Sequence, residues 1–175
     1  MSKHVKTYTD YAEFIEAGNR LTKYQQIHNI IRKDYQALLK ITEEHKIIKI
    51  EFDTLYRSCL KGLFSMIEAD VYGLNGLDAY KDYNDRDSFE NKFKNTFKQV
   101  GITWKKADRV RQYLDSKWLG LMELRKLRDQ LIHPKELEHI HKANETAFEK
   151  VKNGFNDYDQ FINDLMRDFF LEVVI

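Results

Sequence analysis

Glu123-Leu124-Arg125-Lys126-Leu127-Arg128-Asp129-Gln130-Leu131-Ile132-His133-Pro134 decides how the rest of the chain is read. It closes a run in which Leu114, Trp118, Leu121, Leu124, Leu127, Leu131 and Ile132 recur at helical spacing. At about 100° per residue these side chains fall in a sector roughly 180° wide, so the run reads as a helix with one inward face. Pro134, the only proline in the chain, disfavours the α conformation at His133 and ends the helix there. Arg128 projects near the middle of the apolar sector and Arg125 toward its edge. A guanidinium stays charged at any working pH, so a buried one needs an acid, a phosphate or a subunit partner.

Working outward, helical periodicity continues on both sides. Thr9 or Asp10 is placed to cap a first helix through Ala17, with Glu13 completing a capping box, and Gly18-Asn19 is expected to interrupt it. Residues 1–8 read as a frayed lead-in. Leu21, Tyr24, Ile27, Ile31, Tyr35, Leu38 and Ile41 predict an amphipathic helix to about Glu44. A denser run from Ile47 to Tyr72 is apolar over much of its circumference, as a central helix would be. Gly73-Leu74-Asn75-Gly76 is expected to stop it and to open a polar loop to Asp87. Asp87 or Ser88 then caps a short helix carrying Phe89, Phe93 and Phe97, with Gly101 as its stop. Thr103 is expected to cap the motif helix, which kinks around Ser116 or Gly120. After a link over 135–141, Phe148, Val151, Phe155, Tyr158, Ile162, Leu165, Met166 and Phe169 predict a last helix from Glu145 to Val173, widened by Phe161 and Phe170.

Composition agrees with this pattern. With 175 residues, 7 Gly, 1 Pro and 13% aromatic residues, the chain reads as one all-α domain over 1–175, an up-and-down bundle of about five helices. The single Cys59 leaves no internal disulfide and reads as core filler in a reducing, cytoplasmic setting. No signal peptide and no membrane span are expected. No glycine-rich phosphate loop is present, and Tyr72, Tyr80 and Tyr83 serve either base stacking or packing. His28 and His45 read as surface or edge residues. His139 and His141 alternate beside His133, but too few further ligands stand near them, so no metal and no other cofactor is expected.

Net charge is +1, which excludes a strongly basic binder, yet the charge is uneven. From Thr103 to Lys135 there are nine Lys/Arg against four Asp/Glu, a balance of +5, leaving −4 for the remainder. The basic excess lies on the segment that carries Arg128, where an RNA groove would need it. Two readings of Arg128 and His133 stay open on the residues alone. In one, Arg128 closes a buried ion pair and His133 is a helix-end residue favoured by the dipole. In the other, Arg128 binds a scissile phosphate and His133 moves the proton of an attacking 2′-hydroxyl. Glu68, near the stripe through Phe64, Ile67 and Val71, is the acid expected to meet Arg128. Asp70, two residues on, diverges from Glu68 on a helix.

Arg128-Asp129-Gln130-Leu131-Ile132-His133 resembles the R-x4-6-H signature of the HEPN superfamily, including a polar residue straight after the arginine and a proline after the histidine. The close resemblance covers about a dozen residues; elsewhere only the helical layout is similar. It implies a metal-independent endoribonuclease, in which the 2′-hydroxyl attacks its own phosphodiester in a composite cleft between two copies. By this resemblance Arg128 binds and stabilises the phosphate, His133 transfers protons and Asp129 orients one of them. Arg125 and Lys126 are added as RNA-backbone contacts from charge and position. RNA is then the substrate, a homodimer the working form, and an antitoxin or regulatory protein a further partner. The flavour is that of HEPN toxins and of phage-defence and stress effectors. One departure stands out: the tyrosine that some HEPN toxins carry two residues after the histidine is Lys135 here, which removes support for regulation by its modification. The alternative is a non-catalytic HEPN-like module that binds a protein partner, RNA or a nucleotide ligand.

Overall fold

The computed structural model describes residues 4–167 and 169–173. Its described residues form an all-α bundle of six α-helices. These are α1 (Tyr11–Glu44), α2 (Lys49–Leu77), α3 (Phe89–Thr103), α4 (Ala107–Ser116), α5 (Trp118–Ile132) and α6 (Glu145–Met166), with a 3-10 turn at Leu137–His139. Two short strands, β1 (His4–Tyr8) and β2 (Phe169–Val173), pair in parallel, with His4 opposite Phe169 and Tyr8 opposite Val173. No helix among the described residues is long and apolar enough to cross a membrane.

The central position expected of the dense second helix is found: α2 packs against α1, α3, α5 and α6. Cys59, Leu60, Leu63, Phe64, Met66 and Ile67 are fully buried along it. Aromatic rings fill the space between α3, α4 and α6, where Phe93 and Phe97 meet Tyr113, Tyr158 and Phe161. Ring pairs at these 4–7 Å separations add to their burial.

Several boundaries differ from the sequence reading. Asp10 caps α1, its Oδ1 accepting from the Glu13 N–H at 3.0 Å, but the helix then runs unbroken through Gly18-Asn19. Gly18 stands in open space and costs only about 1 kcal/mol, and the long seam against α2 outweighs it. The second helix does not stop at Gly73 but continues to Leu77. Gly73 lets the Tyr24 ring lie where a side chain would stand, since a Cβ there would meet Tyr24 Cδ2 at 2.6 Å.

The kink expected around Ser116 is a full break that divides the motif helix in two, and Thr103, expected to cap it, is instead the last residue of α3. The chain turns at Trp104–Lys106, with Lys105 at φ 57°, starts α4 after Lys106, and breaks again at Lys117. Gly101 does not stop α3. It sits inside the helix and takes the close approach of Val110 from α4.

The termini are the largest correction. Of the expected frayed lead-in, residues 4–8 form β1, while residues 1–3 lie outside the described residues. The last helix ends at Met166, and Phe169–Val173 is strand. Residue 168 and the side chain of Phe170 lie outside what is described. Phe169 stacks on Trp104 with ring centroids 4.0 Å apart, and Trp104 Nε1 donates to Asp78 Oδ2 at 2.7 Å. Lys6 completes the cap by pairing with Asp78. The apolar seam of a helix is thereby spent on a strand that lies over a buried tryptophan.

Candidate active site at the end of the fifth helix

The break at Lys117 frees α5 to aim its own apolar face. Trp118, Leu121, Leu124 and Leu131 are buried, which anchors the helix and puts Arg125 and Arg128 at the edge of the core. Both arginine side chains are only 16% exposed. The Arg125 guanidinium lies over Phe89 at 4.5 Å and Phe64 at 5.5 Å, a cation–π placement. Its Nη1 donates to Glu68 Oε1 at 2.7 Å and its Nε to Asp129 Oδ2 at 3.0 Å.

Arg128 shares these acids. Its Nη1 donates to Asp129 Oδ1 at 3.0 Å, and Nη2 stands 3.6 Å from Glu68 Oε1. Glu68 therefore meets Arg128, but it binds Arg125 more closely. Two guanidiniums and two carboxylates form a neutral quartet across α2 and α5. The carboxylates are its open side, at 43% and 46% exposure. Within it Arg128 Nε is buried with no hydrogen-bond partner, a donor left over for another acceptor.

His133 ends α5 as the proline predicts. It leaves helical geometry at φ −124°, ψ 63°, while its N–H still donates to the Asp129 carbonyl at 3.0 Å. Its imidazole is exposed and makes no hydrogen bond among the described residues. One chain thus brings Arg125, Arg128, Asp129 and Glu68 together, and leaves the exposed His133 and Lys126 outside the quartet. Below the helix end, His141 Nε2 meets Gln130 Oε1 at 3.0 Å. Burial, helped by the neighbouring His139, holds the His141 pKa below the usual histidine value. His139 itself accepts from the Lys135 N–H at 3.0 Å. Among the described residues no three His, Cys, Asp or Glu side chains are grouped to hold a metal ion.

No family model, curated protein or solved structure matches the chain. The site's reading therefore rests on its own geometry and on the short motif.

Sequence reasoning missed a second polar cluster. His28, expected at the surface or the edge of its helix, is buried, and its Nδ1 lies 2.8 Å from Asp70 Oδ1. Asp70 Oδ2 accepts from the Tyr158 hydroxyl at 2.9 Å. The Tyr24 hydroxyl approaches the same carboxylate without forming a hydrogen bond of good geometry. The signal was available: Tyr24, His28, Ile31 and Tyr35 keep one helical face, as do Leu63, Ile67, Asp70 and Leu74. Each polar residue sits in its helix's apolar stripe, and each is the other's partner.

Proposed function

We propose that this protein is a metal-independent endoribonuclease of HEPN type, acting as a homodimer in which the two copies of the Arg128–His133 motif form one cleft. The observation that carries this reading is the arrangement around Arg128. Its guanidinium is fixed by Asp129, its Nε donor is unused, and the exposed imidazole of His133 ends the same helix. In the proposed reaction Arg128 binds the scissile phosphate, and His133 accepts the proton of the 2′-hydroxyl as that oxygen attacks phosphorus. The 5′-oxygen leaves on protonation, giving a 2′,3′-cyclic phosphate and a 5′-hydroxyl. The place of His133 outside the Arg128 quartet within one chain favours a site completed by a second copy. Ile132 and Leu137, exposed on either side of His133-Pro134, give such a copy apolar surface to cover.

The test is incubation of purified protein with total RNA in excess EDTA, beside His133→Ala. Cleavage by the wild type alone, ending in cyclic phosphate, is the expected result. Equal cleavage by both proteins, or by neither, removes His133 from any chemistry. The second reading, a non-catalytic helical module that binds a protein partner or RNA, is favoured by the burial of Arg128 and its occupied carboxylate partners. It expects no turnover by the wild type at any enzyme concentration.

A further inference from the structure

A cavity of about 650 Å³ opens between α1, α2 and the loop after α2, within the roughly 300–1,000 Å³ range of small-molecule sites. It is separate from the Arg128 quartet, and its walls combine three chemistries. The deep wall carries Tyr24, Asp70 and Asn75, all buried. The Tyr24 hydroxyl and Asn75 Oδ1 lack hydrogen-bond partners, because Asn75 spends its Nδ2 on the Val71 carbonyl and Thr96 Oγ1. Among the described residues only three buried side-chain polar atoms lack partners, and two belong to this wall. The flat side is aromatic. Tyr72 is 70% exposed with no ring partner among the described residues, and Tyr83 is held in place by Asp85 at 2.6 Å and by the Tyr80 ring. The α1 rim is cationic: Lys23 has no ion-pair partner among the described residues, and Arg20, paired with Glu16, stands one turn away.

We propose that this groove binds a nucleobase joined to a phosphate. With both Asp70 oxygens taken by His28 and Tyr158, the inner wall offers an unpaired amide oxygen and a hydroxyl. These call for an N–H donor and a polar partner from the guest, as the edge of a nucleobase supplies. Exposed tyrosines offer the stacking that a flat base requires. The phosphate is assigned to Lys23 and Arg20, the two cationic side chains of the lining. A free mononucleotide and one residue of a single-stranded RNA share this chemistry. The site stands independently of the ribonuclease reading.

Gly76 supplies the test variant. It lines the groove, and a Cβ built there meets nothing within 4 Å, so Gly76→Leu adds an apolar side chain at the groove from a position with room for its first carbon. Full-length wild type, Gly76→Leu, Lys23→Glu and His133→Ala are titrated calorimetrically with GMP, AMP, CMP and UMP, and with a short RNA oligonucleotide lacking secondary structure. Thermal melts check that each variant is folded. Binding of a mononucleotide that weakens at least about tenfold in Gly76→Leu and Lys23→Glu, and persists in His133→Ala, supports a free-nucleotide site. Binding of the oligonucleotide alone with the same dependence assigns the groove to an RNA strand. No binding of either probe, or binding indifferent to Gly76→Leu, overturns the proposal. Loss of cleavage in His133→Ala with this binding intact keeps the two sites distinct.

Discussion

Arg128 is held on two sides and left open on the third. Its partners Glu68 and Asp129 are near half-exposed and already serve Arg125, so removing Arg128 strands no buried charge. Arg128→Ala is therefore expected to cost roughly 1–2 kcal/mol, well below the 3–5 kcal/mol of a buried pair broken on one side. His133→Ala should stay within about 0.5 kcal/mol, because that side chain touches nothing that the fold uses. Urea melts of both variants check these magnitudes, and a collapse of Arg128→Ala would give its role to structure. Cys59 is the opposite case. Burial pushes its thiol up to about 11, against the weaker opposing effect of Thr42 at 3.2 Å. The native protein should resist iodoacetamide at pH 8 for as long as it stays folded, and react at once in denaturant. Fast labelling of the native protein would contradict that burial.

Helix α2 shows how an element is set by its neighbours more than by its own residues. Gly73 reads as a stop signal, yet the ring of Tyr24 fills the space above it. Gly73→Ala should thus destabilise by about 1–3 kcal/mol through overpacking, while Gly18→Ala, in open space, should stabilise by up to about 1 kcal/mol. Equal effects in thermal melts would refute the packing argument. The same helix anchors the link before α6: Asp53 Oδ1 accepts from the Ala143 N–H at 2.7 Å and pairs with Lys49 at 3.0 Å. Burial raises the Asp53 pKa, but these two contacts together outweigh it and leave the carboxyl below its ordinary value. A lowered folded pKa means that the native state binds fewer protons than the unfolded chain. The stabilisation is thus complete above the ordinary value, about 3.9, and is lost as pH falls through the lowered one. Asp53→Asn should cost stability at pH 7 and nothing at the acid end of the titration, read from urea midpoints across pH. What the sequence made legible at this scale was apolar periodicity: the faces of α3 and α6, most of those of α1, α2 and α5, where Ile27, Ile41, Ile50 and Ile132 are instead exposed, and the end of α5 at Pro134. The two breaks before the motif were legible only in outline. The stop expected at Gly101 falls three residues later, at Trp104–Lys106, and the kink expected around Ser116 is a full break at Lys117. Neither place carries a proline or a decisive glycine to fix it.

Across the whole molecule, long-range pairing is what local patterns could not disclose. Phe169 lay in register with a helical stripe, and only the partner strand at the other end of the chain makes it β. His28 and Asp70 were each visible in an apolar face, but their pairing depends on how α1 crosses α2. The motif site has the same dependence on partners, extended to a second copy. Within one chain the exposed His133 stands outside the quartet that holds Arg128, so the ribonuclease reading calls for an arginine and a histidine from different subunits. Mixing supplies a direct test. A dimer of Arg128→Ala has two histidines and no arginine, and a dimer of His133→Ala the reverse. Subunit exchange between them creates mixed dimers in which each chain lends the group that the other lacks. Two inactive preparations should regain cleavage on the order of a tenth of wild type once they are co-denatured and refolded together. If each chain used its own pair, no mixed dimer would hold an Arg128 and a His133 on one subunit, and activity would stay absent. Recovery would place the reaction at the seam between two copies.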